Sequence, residues 1–289
     1  HAFDGGGGEL PGFPVHTDRL ASVTENNHQA FSSGAVVEPY EGVMGGVSVG
    51  DIDGDGDPEI VVPSLVGKVY AWHADGEPVV GFPVAIMGRE PDEYQRERAW
   101  ENGVASTPAL ADIDGDGALE IVVSGMDQRM YVWDGMGSAY PGYPLELCFE
   151  EYCDEKGARI LSSPAVGDID GDGDLDCATG TNEVPEGAAG LVYIFDLDAA
   201  EVWPGFPLKR SGLINQTILP LIGEGHPSSV SLADLDHDGD LEFISNAMLG
   251  AEPPAHHDGS WAYEVNFTAD SFGKLANFTD GAFMPMISN

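Results

Sequence analysis

The chain has 289 residues, with 50 Asp and Glu against 11 Lys and Arg, for a formal net charge of −39. That balance leaves no basic surface to neutralise phosphates, so nucleic acid and anionic membranes are excluded as partners. Hydrophobic residues at 42% suffice for a core, and no run approaches the roughly 18 apolar residues of a membrane span.

The opening HAFDGGG, with Phe3, is followed by PGFP at Phe13. Gly5 to Gly8 lack the Lys and following helix of a phosphate loop and read as a flexible hairpin. The chain begins at His1 without a leader, which reads as a mature product or an excerpt of a longer protein.

From residue 44 onward the chain is a repeat. Four nine-residue acidic stretches recur: DIDGDGDPE from Asp51, DIDGDGALE from Asp112, DIDGDGDLD from Asp168 and DLDHDGDLE from Asp234. Their first residues are 61, 56 and 66 apart. A short apolar stretch with small residues precedes each, and an apolar run follows. An aromatic column comes next: Trp72, Trp133, Phe195 and Tyr263. A third marker follows the first three columns, at Phe82, Tyr143 and Phe206. Each unit therefore predicts four short strands. The first precedes the acidic loop, the second follows it, the third carries the aromatic and the fourth surrounds the GFP marker. Helical periodicity is absent, except for a trace in REPDEYQRERAW.

Four strands at this period predict an all-β fold, a β-propeller of four-stranded blades with a Ca2+ loop between first and second strands. The predicted units are 1–43 (tail of a preceding blade plus linker), 44–104, 105–161, 162–225, 226–282 and 283–289 (start of a following blade). The aromatic column is expected to pack blade on blade. A seven-blade ring needs about 430 residues at this spacing, so an incomplete ring is expected. Its remainder would be the rest of a parent propeller or a neighbouring polypeptide. A five-blade ring closed by the two ends is the alternative.

A hard cation such as Ca2+ takes six to eight oxygen ligands. Carboxylates at loop positions 1, 3, 5 and 9, with a carbonyl at 7, supply them. The expected ligand sets are Asp51, Asp53, Asp55, Asp57 and Glu59; Asp112, Asp114, Asp116, Ala118 and Glu120; Asp168, Asp170, Asp172, Asp174 and Asp176; and Asp234, Asp236, Asp238, Asp240 and Glu242. Ala118 fits because position 7 needs only its main chain. Position 6 is Gly in every loop (Gly56, Gly117, Gly173, Gly239), while position 4 is Gly in three and His237 in the fourth, so it is expected to tolerate a side chain. An EF-hand needs Glu at position 12, where Val62, Val123, Thr179 and Ser245 stand. The alternative of four solvated Asp-Gly turns leaves 19 carboxylates crowded without counter-charge. Four Ca2+ ions would offset eight of the 39 net negative charges. Loops of this kind bind at about 10⁻⁴–10⁻³ M in extracellular modules, so an extracellular or cell-surface address is expected.

The loops, the SSPAVGDIDGDGD-type strand before them and the GFP marker resemble the FG-GAP/VCBS repeat family over roughly residues 44 to 245. That family includes the calcium-bearing blades of the integrin alpha-subunit head and many large bacterial surface proteins. The resemblance implies an extracellular propeller used in adhesion or assembly, with the loop carboxylates as metal ligands. Expected partners are a protein or glycan on a cell surface or in an extracellular assembly.

Other chemistry is sparse. No Ser sits in a GxSxG context. His256, His257 and Asp258 read as a solvated loop. Cys148 and Cys153 are spaced for a local disulfide if the compartment is oxidising, and Cys177 reads as a core residue. Arg89, Arg96 and Arg98 beside Tyr94 and Trp100 form a basic-aromatic insertion, expected to pair with its own acidic neighbours. Sequons begin at Asn215, Asn266 and Asn277. The reading is a non-catalytic calcium-stabilised segment. A lectin or polysaccharide lyase on the same scaffold, or an architectural filament subunit, are the alternatives.

Overall fold

The structure is a computed structural model that describes residues 1–20, 33–34, 38–88, 102–147, 160–181, 191–209, 211–212, 229–235, 237, 239, 241–245, 251–252, 261–264 and 274–275. The insertion arginines, Cys148, Cys153, the His256–Asp258 stretch, the sequons and the REPDEYQRERAW segment lie outside them.

Four antiparallel sheets follow one another along the chain. The first comprises β1 (Ser48–Gly50), β2 (Glu59–Pro63), β3 (Lys68–Trp72) and β4 (Val84–Ala85), paired in that order. The second comprises β5 (Ala109–Ala111), β6 (Glu120–Ser124), β7 (Arg129–Trp133) and β8 (Leu145–Glu146). The third contains β9 (Ala165–Gly167), β10 (Asp176–Thr181), β11 (Leu191–Asp196), β12 (Glu201–Val202) and β13 (Leu208–Lys209). In it β11 pairs with both β12 and β13. A two-stranded ribbon pairs β14 (Ser211–Gly212), before the fourth sheet in sequence, with β17 (Ala251–Glu252), which falls between that sheet's second and third strands. That sheet holds β15 (Ser231–Ala233), β16 (Glu242–Ser245), β18 (Trp261–Glu264) and β19 (Lys274–Leu275). First strands β1, β5, β9 and β15 lie side by side in chain order, the arrangement of successive propeller blades. The described residues form no closed ring.

One register repeats in all four sheets. Ile60 faces Trp72, Ile121 faces Trp133, Cys177 faces Phe195 and Phe243 faces Tyr263. The residue before each acidic loop pairs with loop position 9: Gly50 with Glu59, Ala111 with Glu120, Gly167 with Asp176 and Ala233 with Glu242. The acidic loop is therefore the turn of a hairpin whose last ladder pair it closes.

Strand alternation places the core between sheets, because successive side chains point to opposite faces. Tyr131 and Trp133 pack with Val61 and Val69 of the first sheet and with Ile52 of its acidic loop. Their neighbours Met130 and Val132 pack with Cys177, Tyr193 and Phe195 of the third. Val192 and Ile194 turn the other way, toward Val230 and Phe243. The expectation for the aromatic column holds at Trp72, Trp133 and Phe195, all buried, while Phe3 in the same column is exposed. Cys177 is a buried free thiol.

Each GFP marker carries a cis peptide before its proline: Phe13-Pro14, Phe82-Pro83, Tyr143-Pro144 and Phe206-Pro207. The marker is a docking corner. A Cβ on Gly81 would lie 1.9 Å from Met136 O, and one on Gly137 2.7 Å from Gly81 O. Gly12 and Gly76 repeat this mutual approach one unit earlier. In the opening hairpin, Asp4 Oδ1 accepts from the N–H groups of Gly6 and Gly8, and Phe3 bridges Glu9 as Trp72 bridges Pro78.

Candidate metal centres

The hairpin register gathers the loop carboxylates. The N–H at position 2 donates to the position 9 carboxylate in all four loops: Ile52 to Glu59 (3.0 Å), Ile113 to Glu120 (2.7 Å), Ile169 to Asp176 (2.9 Å) and Leu235 to Glu242 (2.6 Å). The side chains of Ile52 and Ile169 meanwhile sit in the core between sheets. Position 6 donates to position 1: Gly56 to Asp51, Gly117 to Asp112 and Gly173 to Asp168. Position 7 donates to position 5: Asp57 to Asp55, Ala118 to Asp116 and Asp174 to Asp172.

These bonds need left-handed backbone at position 6, where φ is +94°, +98°, +102° and +106° in the four loops. Position 4 is left-handed too, and His237 adopts φ +66° there. A side chain is accommodated at position 4, but in a conformation that glycine adopts more readily.

Ligand atoms of Asp51, Asp53 and Asp55 converge within 4.8 Å. So do those of Asp112, Asp114 and Glu120, and those of Asp168, Asp170 and Asp176. Asp116 and Asp172 stand outside these triads, exposed, each accepting from the position 7 N–H. In the fourth loop Asp234 accepts from His237 N and Glu242 from Leu235 N, while Asp236, Asp238 and Asp240 lie outside the described residues.

Electrostatics in the loops is unfavourable without a counter-charge. Burial, then contact with Asp196 and the charge of Asp170, pushes Asp176 up to about 8. Burial raises Glu120 as well, helped by Asp114, Asp116 and Asp112, and it raises Asp170 with help from Asp172 and Asp168. Asp112 Oδ1 and Asp168 Oδ1 are buried and find no hydrogen-bond partner among the described residues. They occupy the same loop position in adjacent blades. Buried carboxylate oxygens are almost always satisfied, so a repeated orphan inside a carboxylate triad fits a coordinated cation. The donor set, all oxygen in the second and third loops, fits Ca2+.

A further polar residue is absent from the sequence-based ligand sets. The residue after the aromatic column is His73, Asp134 or Asp196, and antiparallel pairing brings this position beside the loop. His73 Nδ1 lies 3.1 Å from Glu59 Oε1, and Asp196 lies against Asp176. The signal in the sequence was the shared offset of WH, WD and FD.

Four-stranded blades, each opened by an acidic hairpin, define an all-β protein built of propeller repeats. Residues 112–179, a stretch that spans the second and third acidic loops, match the FG-GAP-like repeat. No curated protein matches the chain. Similar solved structures include the Pseudomonas aeruginosa PilY1 C-terminal domain, 16% identical over 72% of this chain and 38% of that one, with a TM-score of 0.43. BBS1N in complex with ARL6DN is 11% identical over 82% and 56%, with a TM-score of 0.46. BamB from Moraxella catarrhalis is 12% identical over 81% and 61%, with a TM-score of 0.34. The chain thus spans less than two thirds of each of these three. Among the described residues no helix is long and apolar enough to cross a membrane.

Proposed function

We propose that this chain is a calcium-stabilised β-propeller segment that works outside the cell in adhesion, protein–protein interaction or surface assembly, without catalysis. The observation that supports it most is the recurrence of an orphaned, buried position 1 oxygen at Asp112 and Asp168 inside a carboxylate triad. Asp51, Asp53, Asp55 and Glu59 would hold the first ion, Asp112, Asp114, Asp116 and Glu120 the second, and Asp168, Asp170, Asp172 and Asp176 the third. Asp234, Asp236, Asp238 and Glu242 would hold the fourth, with the position 7 carbonyls of Asp57, Ala118, Asp174 and Asp240 completing the sets. Bound Ca2+ supplies positive charge that offsets the loop carboxylates. The chain's own part is to hold those carboxylates on a closed hairpin, through the position 2 and position 6 N–H donors. Millimolar calcium outside cells matches the affinity range of such loops, about 10⁻⁴–10⁻³ M. The blade boundaries that follow the loops are 44–104, 105–161, 162–225 and 226–282.

Thermal unfolding in chelator and in calcium tests the reading. Each site at tenfold its dissociation constant adds about 1.4 kcal/mol, so the melting temperature is expected to fall in chelator and recover on adding calcium. An unchanged melting curve would reject the metal assignment. Binding to immobilised surface proteins or glycans without turnover is the expected functional outcome. Cleavage of acidic polysaccharides would overturn the non-catalytic part.

A further inference from the structure

The first loop differs from the others in its chemistry. Glu59, wholly buried, directs Oε2 to the Ile52 N–H and Oε1 to His73 Nδ1. Ligand atoms of Asp53, Glu59 and His73 converge within 4.8 Å, and Asp53 also belongs to the triad with Asp51 and Asp55. The imidazole therefore borders the same cluster as the carboxylates. Two ligands of one ion, with bonds of about 2.0–2.4 Å meeting near a right angle, sit roughly 3 Å apart. His73 Nδ1 and Glu59 Oε1 are hydrogen-bonded at 3.1 Å, which already holds the two atoms at about that spacing.

Among the described residues the second and third blades offer no such nitrogen. Asp134 Oδ1 accepts from the N–H groups of Met136 and Ser138 and so serves its own turn. Asp196 Oδ1 accepts from Trp203 Nε1. Both are oxygen donors in any case, and the clusters of loops two and three contain loop carboxylates alone.

We infer that His73 makes the first loop a mixed nitrogen–oxygen site that takes a borderline divalent cation of the Co2+, Ni2+ or Zn2+ class in preference to Ca2+, while the second and third loops remain oxygen-only calcium sites. Imidazole suits such ions and adds little for Ca2+, which prefers hard oxygen ligands. His73 is two-thirds buried on the strand-three side of the loop and already directed at Glu59, so recruiting it needs no rearrangement of the hairpin. The inference rests on the metal-binding reading above, narrowed to the ion preference of one site.

The test is Co2+ binding at pH 7.5 in buffer with millimolar calcium, followed by calorimetry and by the visible absorption of bound Co2+. The wild-type chain is expected to take up one equivalent. His73→Gln is expected to weaken that equivalent at least tenfold and leave the calcium-dependent melting shift of the remaining loops in place. His73→Asp, which gives the residue type of the second and third blades, is expected to lose Co2+ and retain calcium. Equal Co2+ affinity in the wild type and both variants would overturn the inference with the calcium reading intact. Absence of any calcium-dependent melting shift would instead reject the underlying reading.

Discussion

Tyr131 Oη donates a hydrogen bond to Asp127 Oδ2 at 2.5 Å and accepts one from the Met87 N–H at 2.9 Å. Tyr70 repeats this one blade earlier, donating to Glu41 at 2.7 Å and accepting from Asp18 N at 3.0 Å. Beside each phenol stands a cation: Lys68 contacts Glu41 and Asp18, and Arg129 contacts Asp127. Two of the 11 basic residues thus face inward, satisfying buried carboxylates.

Tyr131→Phe removes a donor to a buried carboxylate and an acceptor from a backbone amide. It is expected to cost about 1–3 kcal/mol in urea unfolding. Burial and then the Asp127 charge raise the Tyr131 phenol above its ordinary value, and burial raises Tyr143 similarly. Both are acids held protonated by the fold. Their contribution is full below pH about 10, where the unfolded chain also keeps its tyrosines protonated, and it is lost as pH rises beyond that. Stability is expected to decline in alkali, less steeply in Tyr131→Phe, as read by unfolding at stepped pH.

Asp53→Ala and Asp170→Ala each remove one carboxylate from a different triad. In buffer freed of transition metals, where calcium can fill the first loop too, calorimetric titration is expected to show the calcium stoichiometry fall by one in either variant and by two in the double variant. Loss of all sites at once would show that the loops do not fold independently.

Gly81→Ala and Gly56→Ala separate two kinds of glycine. At Gly56 an added Cβ meets nothing within 4 Å, so only the left-handed backbone opposes it, at about 1 kcal/mol. At Gly81 the Cβ would also meet the Met136 carbonyl oxygen 1.9 Å away. Gly81→Ala is expected to lower the denaturation midpoint much further, and equal effects would contradict the docked corner.

Cys177 is fully buried and its thiol is pushed upward by burial, with Asp176 adding to the effect. In a Cys148→Ser/Cys153→Ser background, labelling by a thiol reagent is expected only at the rate of unfolding. Prompt labelling in native buffer would contradict the core placement.

The strand order was legible in the sequence because the nine-residue loop fixes the hairpin and the short run after each loop marks β2, β6 and β10; burial of both faces of β6 and β10 was not legible, since their runs do not alternate. The aromatic column was legible for the same reason, since Trp72 and Trp133 keep a constant offset from their loops. His73 was missed because only the shared offset of WH, WD and FD marks its position, and its approach to Glu59 emerges from the pairing of β2 with β3. Gly81 against Gly137 was hidden likewise, being a contact between units. The GFP marker was visible as a recurrence, but its role as a corner was not.

One backbone bond joins neighbouring acidic hairpins: Leu119 N donates to Asp51 O at 3.0 Å, and Leu241 N to Ile169 O at 3.0 Å. Each turn is thereby fastened to a neighbouring turn as well as to its own strands. A tug on one turn is shared with its bonded mate rather than absorbed where it lands, so the turns act as two yoked pairs, the first with the second and the third with the fourth.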